Sequence, residues 1–261
     1  MYELDDDTRM TELSPGSFRA RVSDRWSIGA VPNGGYVMAL GVTALERALP
    51  HPDPVTVTAH FLRPAEPGDL DVLVEVAKVG KSYSTAAARL VQGGSERVRM
   101  LATFADLSRA EGPTHIRAQP PVVPPRDAPR PPRPAGPAIT ERFEMSLAEE
   151  TMRWVNGEKS GDAEIRGWIR FADGRMPDCR SLPLFADAFP PPVFNVIDVG
   201  WVPTLELTVH VRARPASEWL RAVFRTRFLF GGHLEEDGEL WDEHGTLVAL
   251  SRQIAVVPRR G

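Results

Sequence analysis

The sequence predicts an α+β chain built twice over, two tandem modules that each wrap an antiparallel sheet around one central helix. Three observations carry this expectation. First, Val-Thr-Ala-His-Phe-Leu-Arg-Pro at 57–64 returns as Leu-Thr-Val-His-Val-Arg-Ala-Arg-Pro at 207–215. The same 150-residue offset pairs Thr58 with Thr208, His60 with His210, Leu90 with Leu240, Val98 with Val248 and Ala105 with Ala255. Second, each copy shows one helical stretch followed by a run of strand-like segments. Third, residues 113–137 hold ten of the 25 prolines, with Arg117, Arg126, Arg130 and Arg133 among them. Such a run can neither close a helix nor donate a strand ladder, so it reads as an extended linker between copies. The boundaries that follow are 1–112 for the first module, 113–137 for the linker and 138–261 for the second.

In the first copy, Pro32-Asn33-Gly34-Gly35 precedes a run from Tyr36 to Leu49 that is apolar on nearly every side for three turns. That pattern predicts a buried helix begun by a glycine turn, wholly enclosed as far as Leu45. Strands are expected at Val55–Leu62, Leu70–Val79, Ser82–Gln92 and Arg97–Leu107, broken by Arg63-Pro64, Gly80-Lys81 and Gly93-Gly94. The second copy repeats the order with a helix around Leu182–Phe189. Its strands are expected at Thr204–Arg212, Leu220–Leu229, Glu235–Asp242 and Thr246–Val257. Glu235-Glu236-Asp237 reads as a solvated strand start.

Bulk properties exclude several function classes. A net charge of −4 gives no basic footprint for nucleic acid. One cysteine, Cys179, allows no internal disulfide and no multi-cysteine metal site, and suits a reducing compartment. Six histidines without a short-spaced pair offer no metal site, and no cofactor is expected. The acidic start is unlike a signal peptide, and the longest apolar run, Tyr36–Leu45, is too short to span a bilayer. A cytoplasmic location is therefore expected. Gly80-Lys81-Ser82 lacks the upstream glycine of a phosphate loop, and no Gly-x-Ser-x-Gly elbow occurs. His60 and His210, in strands at matching positions, are expected to make structural hydrogen bonds.

The order of Gly34-Gly35-Tyr36, Phe61-Leu62-Arg63-Pro64, Gly80-Lys81-Ser82, Ala186-Asp187, Thr204-Leu205-Glu206-Leu207 and Val248 to Gln253 resembles the hot-dog fold. It is most similar to the double hot-dog enzymes of the acyl-CoA thioesterase II family. The likeness runs from about Trp26 to Val257. It implies an acyl-CoA substrate, hydrolysis to free acid and coenzyme A, a homodimer, and a catalytic set of Asp187, Thr204 and Gln253, with Thr208 the alternative to Thr204. These residues differ between the copies: by the 150-residue offset Asp187 falls opposite Val37, and Gln253 opposite Thr103. The loop between Asp187 and Thr204, with Pro190-Pro191-Pro192, departs from the family by being shorter and stiffer.

The chemistry suits those residue types. A carboxylate can take a proton from water, while a hydroxyl and an amide hold that water in place. Asp187 lies in Leu184-Phe185-Ala186-Asp187-Ala188-Phe189, apolar surroundings that would raise its pKa. Gly34 and Gly35, at a helix start, are expected to let substrate approach and to stabilise an oxyanion with their N–H groups. A non-hydrolytic acyl-CoA-binding protein on the same fold is the competing expectation. A hydratase would need an Asp and a His together, and no histidine lies between His115 and His210.

Overall fold

The computed structural model describes residues 1–126 and 136–258. Arg130 and Arg133 of the proline-rich run lie outside the described residues. The sheet strands are β1 (Met10–Ser14), β2 (Ser17–Val22), β3 (Asp53–Phe61), β4 (Gly68–Val79), β5 (Ser84–Gln92), β6 (Ser95–Ala105), β7 (Phe143–Leu147), β8 (Glu164–Phe171), β9 (Thr204–Val211), β10 (Leu220–Arg225), β11 (His233–Asp242) and β12 (Leu247–Val256). They form one antiparallel sheet in the order β1-β2-β4-β5-β6-β3-β9-β12-β11-β10-β8-β7, with the short Leu229–Phe230 strand pairing against β11. Read from either end, the two halves have the same order. A pseudo-two-fold axis therefore passes between β3 and β9.

The repeat seen in the sequence lies on this axis. β3 and β9 run antiparallel with Thr58 opposite Thr208, and the two hydroxyls lie 2.8 Å apart. Val57, Ala59, Leu207 and Val209 alternate with them toward the core. His60 and His210 occupy the other, exposed face, so they are solvent-facing strand residues rather than buried structural ones. The 150-residue register slips by one in the last strand. Val57 pairs with Ala102 where Leu207 pairs with Gln253, so the counterpart of Gln253 is Ala102 and not Thr103.

α1 (Glu3–Asp7) precedes the sheet, and α2 (Gly34–Ala48) is the central helix of the first module. Every residue of α2 from Gly35 to Leu45 is buried, as its all-round apolar pattern predicts. Asn33 caps it, its Oδ1 accepting from the N–H of Tyr36 at 2.9 Å. Tyr36 stacks on Trp26 with ring centroids 5.5 Å apart. The second module differs. Its helix, α3 (Leu182–Phe185), is a single turn with proline in its first turn, and is shorter than the expected Leu182–Phe189. Pro190-Pro191-Pro192 follows closely and cannot continue a helix. The strand pairs β1–β2 and β7–β8 precede each helix and were not foreseen from the sequence, although Phe18, Ala20 and Val22 alternate with arginines in β2.

Segment 113–126 of the proline-rich run has no regular secondary structure beyond a turn at its end. It lies along β8, whose Arg166 and Trp168 donate to the carbonyls of Val122 and Pro124 at 2.9 Å each.

Candidate active site

The N-terminus of α2 meets the turn after α3. The approach is close because Gly35 has no side chain: a Cβ there would lie 2.6 Å from the carbonyl oxygen of Pro183 and 2.8 Å from Cβ of Asp187. Asp187 is thereby brought against the first turn of a helix from the other module. Its Oδ2 accepts from Gly35 N–H at 2.8 Å and from Asn33 Nδ2 at 2.9 Å, and Asn33 also binds its main-chain carbonyl at 2.8 Å. Asn33 therefore caps the helix through its oxygen and orients Asp187 through its nitrogen. Burial raises the Asp187 carboxyl to about 6, against the opposing pull of Gly35 N–H, the Asn33 amide and Gly34 N–H. The N–H of Gly35, expected to face an oxyanion, is instead committed to holding this carboxylate.

Across the cavity stand three adjacent strands. In β9 the pairing with β12 shifts register between Thr204 and Glu206. Without that bulge Thr204 would share the outer face with Glu206 and Thr208; with it, Thr204 turns inward. Its hydroxyl donates to Oε1 of Gln253 in β12 at 2.6 Å. Thr208 stays at the outer seam with Thr58, so the structure brings Thr204, rather than Thr208, to Gln253. The amide of Gln253 donates in turn to Oε1 of Glu236 in β11 at 2.8 Å.

Glu236 was missed as a site residue. It is only 6% exposed, which corrects its reading as a solvated strand start. Leu234, Glu236, Gly238 and Leu240 alternate onto the buried face of β11, and that period-two pattern was the available signal. Burial raises its carboxyl to about 8. The Gln253 hydrogen bond opposes the rise, and the charges of Asp187, Glu235 and Asp237 add to it.

Asp187, Thr204, Gln253 and Glu236 all line one cavity of about 560 Å³, together with Gly34. Its walls are otherwise mainly apolar, including Ile28, Val37, Phe61, Met145, Phe189 and Trp201. The short proline loop between Asp187 and Thr204 forms one side, and Gly136 and Pro137 close another. No histidine lines it, and no cluster of metal-ligating side chains occurs among the described residues. The polar group is confined to one side of the pseudo-symmetric pair. Where the second module has Gln253 opposite Glu236, the first has Ala102 opposite Ala86, both buried.

An apolar cavity with a held carboxylate, set between two hot-dog modules, is the architecture of a double hot-dog thioesterase. Residues 22–105 match the acyl-CoA thioesterase N-terminal domain and residues 120–257 the acyl-CoA thioesterase C-terminal domain, so this chain belongs to the acyl-CoA thioesterase II family. The structure is similar to that of a protein assigned as a thioesterase II from Thermobifida fusca. The two are 28% identical with a TM-score of 0.92, covering 99% of this chain and 98% of that one. An acyl-CoA thioesterase II from Mycobacterium marinum shares the fold at 19% identity and a TM-score of 0.77, covering 99% of each chain. An uncharacterized protein of Mycobacterium tuberculosis is 29% identical over 282 residues, 96% of each chain. No helix among the described residues is long and apolar enough to cross a membrane.

Proposed function

We propose that this protein hydrolyses fatty acyl-CoA thioesters, with Asp187 as general base for a water held by Thr204 and Gln253. The observation that carries the reading is the placement of Asp187: a desolvated carboxylate, fixed by Asn33 and Gly35, on the wall of an apolar cavity that also holds the Thr204–Gln253 pair. A carboxyl near 6 is ionised at neutral pH yet more basic than an ordinary aspartate, which suits proton abstraction. The water adds to the thioester carbonyl as Asp187 takes its proton; the C–S bond then breaks, and the departing thiolate takes that proton, releasing coenzyme A and restoring the Asp187 carboxylate. The apolar walls accept an acyl chain.

The test is thiol release across acyl-CoA chain lengths. Thr204→Ala and Gln253→Ala are each expected to lower kcat by ~10- to 100-fold, the scale for losing a positioning hydrogen bond. The double variant should cost much less than the product of the two, since both act on one water. Wild-type rates in both single variants would remove them from the reaction. Binding without hydrolysis at any chain length would leave an acyl-CoA-binding protein on this fold.

We also propose a homodimer. The outer sheet face exposes Leu101 and Ile254 near the Thr58–Thr208 seam, apolar surface a second copy would cover. Sedimentation should give a species of twice 28.8 kDa at micromolar concentration, and a monomer would count against it.

A further inference from the structure

The hydrogen-bond chain from Thr204 does not stop at Gln253. We propose that Glu236 is a positioning residue for this site: it fixes the Gln253 amide, and through it the Thr204 hydroxyl, on the wall opposite Asp187. The inference rests on the hydrolytic reading above and adds a residue and a pH response to it.

The geometry supports it in three ways. Glu236 and Gln253 are direct cross-strand neighbours on the buried face, where paired side chains come within reach of one another. The bond from Gln253 Nε2 to Glu236 Oε1 decides which end of the amide faces Thr204. With its nitrogen committed to Glu236, Gln253 presents its oxygen to the Thr204 hydroxyl. Among the described residues no cation pairs with Glu236, so none of them uses it as half of an ion pair. A buried carboxyl without a cation is costly, and a leucine or alanine, as at Ala86, would fill the same face without that cost.

Burial first, and then the charged groups around it, fix its protonation. Asp187 faces it from the turn after α3, and Glu235 and Asp237 flank it on β11. Arg227 and Arg252 are bound to Asp237 on the outer face, and Arg63 reaches the cavity from the end of β3. Near neutral pH Glu236 carries its proton and accepts from Gln253 as an uncharged acid, while Asp187 is the ionised member of the pair. Loss of the Glu236 proton places a second negative charge in the cavity, which opposes the oxyanion formed when water adds to the carbonyl. Activity is therefore expected to rise as Asp187 ionises and to fall again as Glu236 ionises, around pH 8.

The experiment is a pH–kcat profile of wild type, Glu236→Gln and Glu236→Leu, with thermal melts to establish folding. Glu236→Gln can accept from Gln253 but cannot ionise. It should hold wild-type kcat at pH 7 within several-fold and lose the alkaline fall. Glu236→Leu removes the anchor and should lower kcat ~10- to 100-fold with KM little changed, matching Gln253→Ala. An alkaline limb that persists in Glu236→Gln, or a wild-type kcat in Glu236→Leu, overturns the proposal. A purely structural role would lower the melting point of both variants and leave the pH profile unmoved. If wild type hydrolyses nothing, the hydrolytic reading fails separately. Infrared difference spectra then decide the Glu236 contact: the protonated carboxyl band removed by Glu236→Gln must also shift in Gln253→Leu, and an unshifted band overturns it.

Discussion

Asp187→Asn is expected to lower thioester hydrolysis by ~10²- to 10⁴-fold, the usual loss when a general base is removed, while acyl-CoA binding stays near wild type. The substitution is conservative in shape. An asparagine oxygen can still accept from Gly35 N–H and Asn33 Nδ2, so the contact between α2 and the turn after α3 survives. What disappears is the group that takes the proton from water. The wild-type rate should fall on the acid side with a midpoint near 6, because the carboxyl is held at about that value by burial. In Asp187→Asn the acid limb should vanish along with most of the rate. A wild-type rate in this variant would show that another residue is the base.

The same substitution should stabilise the fold. The folded pKa of Asp187 lies above the ordinary aspartate value of 3.8. Between about pH 4 and 6 the folded state keeps a proton that the unfolded chain has released, so stability falls as pH rises through that window. By pH 7 the cost is fully in place, about 2–3 kcal/mol from the size of the shift. Asp187→Asn removes it. Its Tm should exceed wild type by several degrees at pH 7, on a scale of roughly 2–4 °C per kcal/mol. The gap should close near pH 4, where both side chains are neutral. A lower Tm at neutral pH would mean that the carboxylate supports the fold instead.

The parts of this chain legible in the sequence are those with a strong period or a repeat. The helix from Gly34 was readable because its residues are apolar on every side, and the strand order because Pro and Gly punctuate it twice in the same sequence. The placement of Thr204 was not readable from alternation, since a bulge in β9 turns it to the inner face; it came from resemblance. The helix of the second module was overextended because Ala186 to Phe189 continue its apolar composition, while the bond pattern ends at a single turn. Glu236 was obscured by its neighbours. Glu235 and Asp237 make the segment look like a solvated acidic run, and only the alternation of Leu234, Gly238 and Leu240 separates it from them. The one-residue slip in β12 explains why the first module's counterpart of Gln253 was misread. The extra residue lies in the hairpin turn, where five residues separate the paired Trp241 and Leu247 but only four separate Val91 and Glu96, and a fixed offset cannot follow it.

Gly35→Ala should lower activity about 10²-fold, the low end of the loss expected for Asp187→Asn, and should lower stability instead of raising it. Alanine is the better helix former by about 1 kcal/mol, so propensity alone predicts a gain. Sterics reverse the sign. The added Cβ would meet Pro183 O at 2.6 Å, Asp187 Cβ at 2.8 Å and Leu184 Cα at 2.9 Å. Two of these atoms are backbone and the third is fixed to it, so relief requires α2 and α3 to move apart. Overpacking of this kind costs roughly 1–3 kcal/mol, or a Tm several degrees lower. The movement also draws Gly35 N–H away from Asp187 Oδ2, and a displacement near 1 Å at a reacting group costs about 10²-fold in rate. Gly41→Ala is the control, in the same helix and equally buried. There the close atoms are Sδ and Cε of Met100, the free end of a flexible side chain that can rotate aside. It should keep activity and shift Tm by less than Gly35→Ala. If the two variants behave alike, helix packing in general governs both, and the Gly35–Asp187 approach has no special part in holding the base.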